Sequence, residues 1–107
     1  MARMTITNRA AADWQAIIED RVSLMLGSAL VNIRRIDIDF DSHEPGGDQY
    51  RTHSFCIVLT EASGAQVCLR NEQVDANDAI EGGLARARRV VVRRKWTRLP
   101  RQRLSSA

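Results

Sequence analysis

Between Arg35 and Asp41 the chain alternates without a break: Ile36, Ile38 and Phe40 fall on one side, Arg35, Asp37, Asp39 and Asp41 on the other. Successive side chains of a strand point to opposite faces, so this segment reads as a strand over 33–41 with one buried face that something apolar must cover. Two further segments carry the same pattern. Phe55, Ile57 and Leu59 share a face within 53–60, and Ala65, Val67 and Leu69 share one within 65–70. The link Glu61-Ala62-Ser63-Gly64 is short enough for a hairpin. Pairing about residue 62 would set Phe55 opposite Leu69, Ile57 opposite Val67, and Cys56 opposite Cys68 on the other face. A bulged turn ending at Gly64 would slide the pairing by two residues and leave the facing assignment intact. Either way the two cysteines are near neighbours. A cross-strand disulfide is geometrically awkward, and both read as small hydrophobes in a reducing compartment.

The remaining periodic segments are helical. Met4–Thr7 forms a short first strand, and Asn8 is placed to cap the helix after it, expected over 9–28. Trp14, Ile18, Val22, Met25 and Leu26 make its apolar side; Asp13, Ala16, Glu19, Asp20 and Ser23 lie opposite, Arg21 snorkels at the margin, and Gly27 is a stop. Ser42–Arg51, with Glu-Pro-Gly-Gly-Asp inside it, is a loop. Asp75 opens the last helix with Asp78 in its first turn. Ile80, Leu84, Ala87 and Val91 form its buried stripe, and Gly82 and Gly83 permit close packing. Arg94 falls near that stripe, so the helix is expected to have outrun the sheet there; Pro100 is expected to end it. The order is β-α-β-β-β-α, which predicts a two-layer α/β sandwich: a four-stranded sheet with both helices on one face. One domain is expected over 4–99, with a basic, disordered tail over 100–107.

Charge carries the functional information. With 16 Lys/Arg against 13 Asp/Glu the net charge is only +3. Residues 1–85 hold 7 cations and 13 acids, whereas residues 86–107 hold 9 cations and no acid. That asymmetry is the footprint of a polyanion binder. At 100° per residue, Arg86, Arg89 and Arg93 lie within about 60° of one another, opposite Ile80 and Leu84. They form one outward ridge, with Arg88 and Lys95 on its flank and Arg98 extending it. Arginine donates two parallel hydrogen bonds to a phosphate, and a row of arginines can follow a nucleic-acid backbone. Trp96 either stacks on an unpaired base or packs across the open end of the sandwich. No helix-turn-helix or zinc module is present, and the helix has few Asn or Gln to read base edges. Charge- and shape-based binding to a folded RNA is therefore expected.

At this helix the sequence resembles the ribosome hibernation-promoting factor family, also called ribosome-associated inhibitor A. Asp75-Ala76-Asn77-Asp78-Ala79-Ile80-Glu81-Gly82 is similar to the family's Asp-x-x-x-Ala-Ile-Asp-x opening. Arg86, Arg89, Arg93 and Lys95 occupy its outer-face cation positions. Ile36-Asp-Ile-Asp-Phe40 followed by an acidic, glycine-containing loop fits its short members, and the element order matches along nearly the whole chain. The resemblance implies a short-form protein that binds the small ribosomal subunit and its 16S rRNA, inhibits translation and promotes hibernation under stress.

Other chemistries fare worse. His43 and His53 stand near Asp41, Glu44 and Asp48, but the glycine-rich loop disfavours their convergence on a metal. Gly46-Gly47 lacks the continuation of a phosphate loop, no nucleophile–base pattern has a supporting motif, and Asp37, Asp39 and Asp41 read as a solvated face. The expectation is a cytoplasmic, non-enzymatic protein without a cofactor, since no apolar run approaches the roughly 20 residues that span a bilayer. Two alternatives stand beside it. One is a protein–protein adaptor assembling through an open sheet face bearing Cys56, Val58 and Cys68, which also leaves room for a weak homodimer. The other is a generic double-stranded RNA binder.

Overall fold

The computed structural model describes residues 3–10, 12–43 and 51–106, with side chains through Arg94. The elements are β1 (Arg3–Asn8), α1 (Gln15–Leu26), a 3-10 segment (Gly27–Asn32), β2 (Ile33–His43), β3 (Thr52–Glu61), β4 (Gln66–Gln73) and α2 (Ala76–Ser106). The sheet runs β1-β2-β3-β4. β1 lies parallel to β2, with Ile6 beside Ile38, and the other pairs are antiparallel. The two-layer α/β sandwich expected from the alternation is the fold that forms.

Its core lies between the helices and one face of the sheet. Ile18, Val22 and Leu26 of α1 and Ile80, Leu84 and Ala87 of α2 cover Ile36, Ile38, Phe40, Phe55, Ile57 and Leu59. A register shift between Ile33 and Arg35 makes Arg34 the extra residue of a bulge. The bulge resets the phase of β2, so Ile33 and Ile36, three positions apart, both turn inward. The β3–β4 hairpin takes the bulged register. Ile57 pairs with Leu69, Cys56 with Arg70, and Val58 with Cys68. Gly64 N–H donates to Glu61 O at 2.9 Å, with Gly64 at φ +96°, a left-handed conformation that a side chain disfavours. Cys56 and Cys68 are thus one step apart diagonally, and both are free thiols.

Several boundaries differ from the sequence reading. Helix α1 starts at Gln15, not at residue 9. The backbone stays on the sheet past Asn8, since Arg9 N–H donates to Phe40 O at 2.7 Å. Asn8 caps nothing: its Oδ1 accepts from Ala10 N–H at 3.3 Å and its Nδ2 donates to Ala12 O at 2.9 Å, a local turn that competes with helix. Asp13 instead accepts from Gln15 N–H at 3.1 Å. Strand β2 also continues through Ser42 and His43, where a loop was expected; residues 44–50 of that loop lie outside the described residues. Helix α2, finally, does not stop at Pro100, and 100–106 is helical rather than a disordered tail. Proline removes one intrahelical bond and crowds the preceding turn, but the arginine, leucine and glutamine residues around it are strong helix formers.

The start of α2 matches its reading. Asp75 Oδ1 accepts from Asp78 N–H at 3.0 Å, the bond of an N-cap. Asp75→Ala should cost about 1 kcal/mol, read as a lower urea midpoint with an unchanged slope. From β4, Asn71 Nδ2 donates to the Asp78 and Ala79 carbonyls at 3.2 and 3.0 Å, clamping the first turn to the sheet.

Candidate nucleic-acid interface

α2 faces two environments at once. Ile80, Leu84 and Ala87 are fully buried, and Val91 packs at the edge of the core. The Val90-Val91-Val92 run therefore stays helical under tertiary packing despite its strand preference. On the outward side Arg86, Arg88, Arg89 and Arg93 are all exposed. With a rise of about 1.5 Å per residue, Arg86, Arg89 and Arg93 step along the helix at about 4.5 and 6 Å.

The guanidinium groups are not equivalent. Arg86 Nη1 donates to the Arg70 carbonyl on edge strand β4 at 3.1 Å, which leaves most of its five donors for another acceptor. Arg88 and Arg89 have no side-chain partner among the described residues. Arg94, expected to lie beyond the sheet, still touches it: its Nε donates to Glu61 Oε1 at 2.5 Å. Nothing in the sequence spacing announces this pair. The side chains of Lys95, Trp96 and Arg98 lie outside those described.

The described part of the open sheet face carries matched charge. On the open sheet face Arg35 pairs with Asp37 at 3.0 Å, Arg9 with Asp39 at 3.1 Å, and Arg70 with Glu72 at 2.5 Å. Each such exposed pair adds little stability, but together they cancel the local field. On α1, Arg21 lies 3.3 Å from Asp20 and 3.2 Å from Glu81 of α2, so it is spent on holding the helices together. Among the described residues the exposed large apolar side chains, Ile17, Leu24, Val31 and Val74, lie outside the sheet strands.

His53 stacks on Phe40 with centroids 5.9 Å apart, and its Nδ1 donates to Val74 O at 3.0 Å. His43 ends β2, and Glu44 and Asp48 lie outside the described residues. Among the described residues no group of three or more His, Cys, Asp or Glu is placed to hold a metal ion. The Cys56 thiol is pushed up from its ordinary value, chiefly by burial, against the opposing pull of Arg70. It stays protonated at neutral pH, the reverse of an activated nucleophile. Among the described residues no helix is long and apolar enough to cross a membrane.

The sequence matches no protein-family model and no curated protein. Its fold does have solved counterparts. One is a ribosomal subunit interface protein from Coxiella burnetii, with a TM-score of 0.67 and 11% identity over 87% of this chain and 97% of that one. Another is the N-terminal domain of Protein Y from Thermus thermophilus, with a TM-score of 0.57 and 17% identity over 87% and 98% of the two chains. At such identities the likeness is one of fold.

Proposed function

We propose that this chain is a cytoplasmic, ribosome-associated protein that binds small-subunit rRNA through the outer face of α2 and thereby inhibits translation or promotes hibernation. The observation that carries the reading is the division of α2: Arg86, Arg88, Arg89 and Arg93 are exposed while Ile80, Leu84 and Ala87 seal the sheet. From residue 86 onward the sequence carries cations and no acid. Lys95, Trp96 and Arg98, whose side chains lie outside those described, would add to the interface on this reading. Support comes from the fold shared with a ribosomal subunit interface protein and with a Protein Y domain, and from the family-like opening of α2. The role is binding rather than catalysis.

Such a surface works by releasing counterions from phosphates. Three to five contacts should make affinity fall by about two orders of magnitude between 50 and 200 mM salt. Sedimentation of the purified protein with small ribosomal subunits across that range is the test. Protein that stays at the top of the gradient at low salt refutes the reading. Equal competition by plain duplex RNA would instead favour a generic double-stranded RNA binder.

A further inference from the structure

α2 parts from the core at Ala87, its last fully buried residue, and Val91 is the last described one packed against the apolar cluster. The helix then runs on to Ser106. At the point of departure Arg94 meets Glu61, a residue 33 positions earlier in the chain. Glu61 is only 7% exposed. Its backbone is held on both sides: Glu61 N–H donates to Ala65 O at 2.8 Å, and its carbonyl accepts from Gly64 N–H at 2.9 Å. The next residue, Ala62, donates to Asn32 O at 2.9 Å, tying the hairpin to the 3-10 segment. The carboxylate therefore stands on a rigid corner where the hairpin, the 3-10 segment and the helix meet. A carboxylate this buried strongly favours keeping its cation, because an unpaired one would be costly.

We infer that Glu61 is a positioning residue: by holding Arg94 on that corner it sets the direction in which the basic half of α2 leaves the sheet. The inference rests on the RNA-binding reading above for its effect on affinity. Its physical basis is preorganisation. A helix extension that swings about the last core contact must be ordered when it binds, and that ordering reduces affinity. The consequence runs against simple electrostatics. Glu61 is a negative charge at the base of a cationic helix, so its neutralisation alone would tighten binding to RNA. Loss of direction weakens it.

Glu61→Gln in the full chain should therefore bind purified small ribosomal subunits about tenfold more weakly than wild type. It should also exchange the backbone amides of residues 88–99 faster. The charge-swapped variant, Glu61→Arg with Arg94→Glu, keeps the net charge and restores the pair. It should bring both readouts back to within about threefold of wild type. Circular dichroism confirms that each variant is folded at the assay temperature. Glu61→Gln binding as tightly as wild type, or tighter, overturns the inference. So does a swap that restores exchange but not affinity, since Arg94 would then be an RNA ligand in its own right. Should wild type itself not bind subunits, the RNA reading fails separately, and amide exchange alone decides: unchanged rates in Glu61→Gln overturn the positioning role, and faster rates support it.

Discussion

The triple variant Arg86→Glu, Arg89→Glu, Arg93→Glu should lose small-subunit binding by about three orders of magnitude. Each substitution removes one phosphate contact and places a repelling charge in its position. Three lost contacts should also lower the slope of log affinity against log salt by about three. The fold should survive, because all three side chains project away from the apolar stripe of α2. Among the internal bonds at risk is that of Arg86 to the Arg70 carbonyl, worth about 1 kcal/mol. Sedimentation with subunits, paired with thermal unfolding, separates the two effects. A folded triple variant that binds like wild type would remove α2 from the interface.

Gly83→Ala is expected to destabilise the protein, although alanine is the better helix former. A methyl group at Gly83 would stand 3.0 Å from Phe55 Cε2 and closer still to Cδ2. That ring cannot retreat. Phe55 is fully buried, with Phe40 as its cross-strand neighbour on β2 and Asn71 on β4. Forcing extra volume into such a site costs about 1–3 kcal/mol or more, against roughly 1 kcal/mol gained from propensity. A lowered urea midpoint with unchanged RNA-binding slope is the expected result. A raised midpoint would mean that helix propensity outweighs the contact and that the two layers can part to admit a methyl group. Gly82→Ala should also destabilise, since its new methyl meets the Asn71 amide at 2.7 Å, which can give way only by losing its bonds to the Asp78 and Ala79 carbonyls.

The order of elements, the inward-facing set and the outward arginine ridge were all legible in the sequence because each rests on a local period. Ile36, Ile38 and Phe40 reveal a strand by alternation, and Ile80, Leu84 and Ala87 reveal a helix by their spacing. The hairpin left two registers open, and Gly64 chose between them by adopting a left-handed conformation. What escaped was tertiary. The start of α1 depends on a backbone bond from Arg9 to Phe40, 31 residues on, and no capping signal reports it. The Arg94–Glu61 pair joins residues that approach only once α2 has docked. Pro100 misled because its local cost was read without the helix formers on both sides. The exposure of Arg86, Arg88, Arg89 and Arg93 could be read from charge and spacing, whereas the bond from Arg86 to the β4 backbone could not.

The ion pairs that zip the open sheet face also decide how the molecule meets a polyanion. With Arg9, Arg35 and Arg70 each matched by a neighbouring acid, that side offers no pull at a distance. Arg88 and Arg89, without a side-chain partner among the described residues, lie across the molecule, on α2. In the field of an RNA such a charge distribution would turn the protein before contact, the basic half of α2 leading. Once bound, it would show the solvent an almost uncharged back, a surface with little power to recruit a second polyanion.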